Sequence, residues 1–285
     1  MKINDTQANH IALGNGQPVI LIHGIAASLS DWTEFAPALA SNGYSAYALD
    51  LLGHWDSAKP DDPRAYQIET LYQHFRDCVE GLDLDVPPIL VGHSLGGYLG
   101  LVHSLCSPEQ VRGLVLINPY YKAQQLSLIL LLARRRPALS EKAMRFTPLW
   151  MIRAALGWNP EAIANFSPQT RQQIAVDYKR ASPHFVYITH KIPDLTDQLI
   201  HINAPALIIW GERDQTLHPA SFPQLVQALP KALGYSIRSA GHQPHISDPD
   251  LVIRVTLEFI RQWNTPSSPN PPALHPMSGD HFASA

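Results

Sequence analysis

Apolar residues along the chain follow two rhythms. Short unbroken runs recur at Val19 to His23, Tyr44 to Asp50, Pro88 to Val91, Gly113 to Ile117, Ala206 to Trp210 and Tyr235 to Arg238. Several of these runs do not alternate with polar residues, as expected of strands buried on both faces of a parallel sheet. Asn9 to Leu13 fits one further strand before them. Between the runs, Ile68, Leu71, Tyr72, Phe75, Val79 and Leu82 repeat at three and four, which makes one face of a helix. Leu251, Val252, Val255, Phe259 and Trp263 repeat the pattern, with Asp248 placed to cap that helix and Pro249 suited to its first turn. Strands alternating with helices predict an α/β fold, a doubly wound and mostly parallel sheet.

The alternation stops between residues 120 and 200. Helix-like pieces separated by Pro137, Pro148, Pro160, Pro168 and Pro183 fill that stretch, and no strand pattern interrupts them. An inserted helical cap over 120–200 is predicted, set into a core made of 1–119 and 201–264. Residues 265–285 are rich in proline and poor in aliphatic side chains, which reads as a disordered tail.

Composition adds little to this picture until charge is followed along the chain. The 285 residues are 45% hydrophobic and 16% charged, enough for a large core with an insertion. The net charge of −3 offers no case for nucleic-acid binding. Yet the stretch from Lys122 to Lys191 carries +8 and the remainder −11, so a basic cap sits in an acidic body. The longest aliphatic run, Leu126 to Ala133, is far below the ~20 residues that span a bilayer. The polar N-terminus is unlike a signal peptide, and a soluble, cytoplasmic protein is expected. Cys78 and Cys106 fall on helical stretches without metal-type spacing and read as buried free thiols.

The chemistry gathers at strand ends. Gly92-His93-Ser94-Leu95-Gly96 is a G-x-S-x-G pattern between a buried run and a helix. Residues without bulk let strand and helix approach closely, and the serine then stands on a strained turn beside free helix N–H groups. By itself the pattern also fits a glycine-rich turn with an incidental serine. A serine hydroxyl needs a base. His242 follows the Tyr235–Arg238 run directly, with His245 as its competitor. A base of this kind needs a carboxylate to orient it. Asp214 lies where the chain leaves the Ala206–Trp210 run, with Glu212 nearby as the alternative. Two N–H donors must hold an oxyanion. Leu95 offers one, and Ile25 the other, with Ala26 second. His23 reads as an organiser of that loop.

At this point the chain resembles the α/β-hydrolase superfamily. The segments "LIHGIAAS", "LDLLGHWDSAKP", "LVGHSLGG", "LIIWGERD" and "AGHQPHISDPD" occur in that family's order. The resemblance implies a Ser94–Asp214–His242 triad, an oxyanion hole from Ile25 and Leu95, a helical cap, and catalysis without metal or organic cofactor. It departs at Gly53-His54-Trp55, where the family usually has Gly-His-Gly. A tryptophan at that turn either tolerates a changed backbone or lies in the approach to the site, and Trp55 is taken as a candidate pocket residue, with Phe146 and Trp150 of the cap. Aspartate-nucleophile relatives are set aside by Ser94. The run "HGIAAS" lacks the extra glycines of carbon–carbon hydrolases and the proline of cofactor-free haloperoxidases. A serine esterase or lipase-like enzyme acting on an apolar or lipid-like small-molecule ester is expected. An acyltransferase, or a slow-turnover receptor on the same scaffold, is the alternative. The basic cap suggests anionic esters or peripheral contact with an anionic lipid surface, against the plainer reading of an ordinary amphipathic cover.

Overall fold

The computed structural model describes residues 2–3, 6–158 and 166–262. Its main sheet has seven strands: β1 His10–Leu13, β2 Gln17–Ile22, β3 Tyr44–Leu49, β4 Ile89–His93, β5 Gly113–Ile117, β6 Ala206–Gly211 and β7 Ala232–Ile237. Their spatial order is β1-β3-β2-β4-β5-β6-β7. Only β1 runs against its neighbour; the other pairs are parallel. Lys2–Ile3 and Thr6–Gln7 pair separately.

The unbroken apolar runs are explained by two-sided burial. Val19, Leu21, Ile89, Val91, Val115 and Ile117 face one helical layer, with α1 (Phe35–Ser41) and α9 (Pro249–Arg261). Ile20, Ile22, Leu90, Leu114 and Leu116 face the other, with α2 (Ile68–Glu80), α3 (Leu95–Cys106) and α8 (Ser221–Ala228). Because the strands are parallel, their C-terminal ends share one edge, and the loops leaving β2, β4, β6 and β7 meet there.

Three details differ from the sequence reading. The last strand starts at Ala232 rather than Tyr235, because an edge strand is only half buried and shows no apolar run. Asp248 precedes α9, but its side chain makes no capping hydrogen bond. Cys78 is buried, which pushes its thiol up to about 12, but Cys106 ends α3 in an exposed position and is not a core thiol. Pro160, Trp263 and the 265–285 tail lie outside the described residues.

Between β5 and β6 the chain forms α4 (Leu128–Arg135), α5 (Pro137–Phe146), α6 (Leu149–Trp158) and α7 (Pro168–Arg180), then 3₁₀ turns at Pro183–Lys191 and Thr196–His201. The end of α7 is pinned to the loop after β3. Ser182 N–H donates to Gly53 O at 2.7 Å, and Arg180 pairs with Asp56. The Arg180 guanidinium also lies 3.6 Å from the Trp55 ring centroid, a cation–π contact. One turn earlier, Ser30 Oγ donates to Asp177 Oδ2 at 2.9 Å. Burial, and then the negative charge of Asp31, raise the Asp177 carboxyl to about 6, against hydrogen bonds from Ser30, Gln173 and Ser28.

That raised value has a consequence for stability. The folded state holds the Asp177 proton more tightly than the unfolded chain, whose aspartates titrate near ~3.9. The contribution is complete below that value and is lost as pH rises through about 6. Asp177→Asn is therefore expected to be more stable than wild type at pH 8 by on the order of 1–2 kcal/mol. Urea denaturation should show the gap closing towards pH 4; a gap independent of pH would remove Asp177 as its source.

Candidate active site

The turn after β4 is built by close approach. A Cβ on Gly92 would lie 2.5 Å from Gly96 O, and one on Gly96 would lie 2.2 Å from Ile22 O. Neither position tolerates a side chain, so α3 packs directly against the end of β2. Ser94 sits between them at φ +49°, a left-handed conformation that non-glycine residues rarely adopt. Its amide donates to Ile117 O at 3.0 Å, and its carbonyl accepts from Tyr98 and Tyr120 N–H at 3.1 Å. Four chain segments thus over-determine the turn.

His242 and Asp214 arrive from β7 and β6. His242 Nδ1 is 2.8 Å from Asp214 Oδ2, so Nδ1–H donates and Nε2 keeps the basic lone pair. Asp214 is buried, yet it is richly solvated by protein. Its Oδ1 accepts from Thr216 and Leu217 N–H at 2.7 and 2.9 Å, and its Oδ2 from Asn118 Nδ2 at 2.6 Å. Burial alone would raise its pKa. The His242 ring and these hydrogen bonds outweigh burial and hold the carboxyl below the usual aspartate value. Glu212 points elsewhere and accepts from Ser236 Oγ at 2.9 Å.

His245, the competing base, is buried in contact with Trp32 and His93, and its Nε2 lies 3.7 Å from Asp31 Oδ2. Asp31, His93 and His245 are the group among the described residues that brings three potential metal-ligand atoms within 4.8 Å. His93 Nε2–H donates to His242 O at 2.8 Å and so ties the His242 loop to the serine turn. Burial, with His245 and His242 beside it, holds His93 well below the ordinary imidazole value, in its neutral form.

Two histidines shape the loop after β2. Leu51 N–H donates to His23 Nε2 at 3.0 Å, so His23 Nδ1–H donates to Gly24 O at 2.7 Å. Ala26 N–H donates to His54 Nε2 at 3.0 Å, and His54 Nδ1 faces Leu52 O at 3.0 Å. Burial, and then the neighbouring His23, push His54 down to about 3, which keeps Nε2 free to accept. Ala26 takes up φ +57° and spends its N–H in this way. Ile25 and Leu95 N–H have no hydrogen-bond partner among the described residues. Of the two amides considered in this loop, Ile25 therefore has the free N–H and Ala26 does not.

Ile25, Ser94, Leu95 and His242 all line one cavity of about 570 Å³. Most of its remaining wall is apolar and comes from the helical segment between β5 and β6, including Leu130, Met144, Phe166, Phe185 and Ile192. Ser94 Oγ makes no hydrogen bond among the described residues, and it shares the cavity wall with His242. The three expected pocket residues belong elsewhere. Trp55 is not part of the wall: it adopts φ +38° and stacks under Arg180. Phe146 and Trp150 are also outside it, on outward helix faces and 77% and 68% exposed. Helical periodicity cannot tell which apolar face of a two-faced helix turns inward.

The sequence reading missed Asn118 and His54. Asn118, at φ +41°, bridges Asp214 Oδ2, Gly241 O at 3.2 Å and Gly211 N at 3.3 Å. Its signal was a polar residue immediately after β5, at the edge that carries Ser94 and Asp214. His54 was visible only as the neighbour of an unusual tryptophan.

Comparison with known proteins agrees with this architecture. The family model described as alpha/beta hydrolase fold matches residues 17–249. A 2-hydroxy-6-oxo-6-(2'-aminophenyl)hexa-2,4-dienoic acid hydrolase of Metapseudomonas resinovorans is 25% identical over 275 residues, covering 89% of this chain and 87% of that protein. Lipase 3 of a Moraxella species is 22% identical over 236 residues, covering 81% and 73%. Among solved structures, a thermophilic esterase from Thermogutta terrifontis superposes with a TM-score of 0.79 at 22% identity, covering 91% of this chain and 95% of that one.

Removing the His54 acceptor should release the Ala26 N–H and let the Ile25 amide turn. If Ile25 N–H serves as an oxyanion donor, His54→Ala is expected to slow covalent labelling of Ser94 by a fluorophosphonate by roughly a hundredfold or more, the scale of one lost donor. Labelling time courses read this directly. A variant that labels at the wild-type rate would show that His54 does not set the donor loop.

Proposed function

The chain belongs to the alpha/beta hydrolase family, and we propose that it is a serine hydrolase cleaving carboxylic esters of apolar acyl groups. The observation that carries the reading is the 2.8 Å His242–Asp214 contact at a cavity that also holds Ser94 on its strained turn. In this reading Ser94 Oγ attacks the ester carbonyl as His242 Nε2 takes its proton. The C=O electron pair moves onto oxygen, where Ile25 and Leu95 N–H groups stabilise it. The carbonyl reforms, the C–O bond to the alcohol breaks, and His242 returns the proton to the leaving oxygen. Asp214 steadies the imidazolium throughout. Water then attacks the acyl-enzyme by the same route and releases the carboxylic acid and Ser94.

The apolar wall supports a hydrocarbon acyl chain. Arg134 is the Lys/Arg side chain in that wall, and it donates to Thr189 O at 2.5 Å and Ile192 O at 3.4 Å. A second reading, hydrolysis of a carbon–carbon bond beside a carbonyl, is favoured by the Metapseudomonas relative. The absence of extra glycines after His23-Gly24 counts against it.

One panel separates these readings. A fluorophosphonate adduct should map to Ser94 and vanish in Ser94→Ala. Hydrolysis of p-nitrophenyl esters of increasing chain length should fall by ~10⁴ or more in kcat/KM in the same variant. Activity persisting in Ser94→Ala would overturn the assignment. Faster turnover of the hexa-2,4-dienoic acid named for the relative than of any ester would favour the second reading.

A further inference from the structure

The helices that roof the cavity are apolar on both sides. Inward, Leu130 and Ala133 of α4 and Met144 of α5 line the cavity. Outward, α4 exposes Leu128, Ile129 and Leu132, and α5 exposes Leu139 and Phe146. Trp150 and Met151 continue the exposed set at the start of α6. Seven of the ten exposed large apolar side chains among the described residues therefore fall on these three consecutive helices, so they are concentrated rather than scattered. An ordinary surface helix would present polar residues on that side.

The same helices are strongly basic. From Lys122 to Arg153 there are seven Lys or Arg and a single acid, Glu141. Arg145 Nη2 and Tyr187 OH both donate to Glu141, each at 3.0 Å. Arg135, Arg136 and Lys142 are exposed and have no ion-pair partner among the described residues. Outside residues 122–191 the chain carries −11.

We propose that this face docks on an anionic phospholipid bilayer. Headgroup phosphates meet Arg135, Arg136 and Lys142, while Ile129, Phe146 and Trp150 enter the boundary between headgroups and acyl chains. Charge selects this occupant. A two-fold dimer through the same face would set positive against positive, whereas an anionic bilayer attracts the face and repels the acidic body, which orients the protein roof-down. No described helix is long and apolar enough to cross a membrane, so the contact is peripheral. Docking brings the roof of the cavity against the lipid, and the substrate class that follows is a membrane-borne ester. That last step rests on the esterase reading; the docking does not.

Flotation of the full chain with vesicles tests it. Wild type should float with vesicles of equal parts phosphatidylcholine and phosphatidylglycerol, not with phosphatidylcholine alone, and should dissociate as salt rises. Phe146→Ser/Trp150→Ser and Arg135→Glu/Arg136→Glu/Lys142→Glu should each lower the bound fraction by roughly tenfold or more. Both should keep p-nitrophenyl acetate hydrolysis within about twofold of wild type, since these residues lie outside the cavity wall. Absence of flotation, or equal flotation of the variants, overturns the proposal. So does self-association without vesicles, seen by sedimentation velocity and abolished by the same variants, because the face then serves a second copy. Flotation as expected from a protein that hydrolyses no ester would leave docking standing and remove the enzymatic reading.

Discussion

No side chain fits between the start of α3 and the end of β2. A Cβ on Gly96 would meet the Ile22 carbonyl at 2.2 Å, and one on Gly24 would meet His93 Nδ1 at 2.8 Å. The Gly96–Ile22 contact is backbone on backbone, and it cannot relax by rotating a side chain. It forces Ser94 into a left-handed conformation and brings the loop after β2 within reach of the serine turn. The free Ile25 and Leu95 N–H groups and the cavity floor inherit their positions from that approach.

Around this contact the edge of the sheet is held by imidazoles kept without charge. Burial disfavours the charged ring, and neighbouring histidines disfavour it further. The result is that His54 and His93 act as fixed-tautomer linkers, one accepting from Ala26 and the other donating to the His242 carbonyl. The hydrogen-bonded Asp214 is the opposite case: protein donors hold its charge in place inside the fold. A single edge thus contains neutral linkers and one anchored anion, and that contrast gives His242 a defined basic nitrogen.

The segment between β5 and β6 closes the cavity and joins the core through few but specific ties. Arg180 over Trp55 and Ser182 on Gly53 engage the loop after β3, and Asp177 engages Ser30. The same Gly53–Trp55 stretch carries His54. Attachment of the roof and orientation of the loop after β2 are therefore mechanically linked through one short turn.

Local chemistry made much of this readable in advance. Buried parallel strands must be apolar on both faces, so β2, β4, β5 and β6 announce themselves as unbroken runs. The edge strand β7 is half wet, and it begins three residues before its apolar pattern does. Ser94, Asp214 and His242 could be singled out because each follows a strand that ends at the same edge. Their meeting, including the 2.8 Å Asp214–His242 contact, belongs to the fold. Only the fold showed that Asn118 completes the Asp214 shell, that His54 consumes the Ala26 amide, and that Trp55, Phe146 and Trp150 stand outside the cavity. The physical reason is one of range. A residue's place on a strand or helix is set by neighbours a few positions away. Which way a two-faced helix turns, and which distant donor reaches a buried acceptor, is set by packing between segments far apart in the chain, 28 residues for Ala26 and His54 and 96 for Asn118 and Asp214.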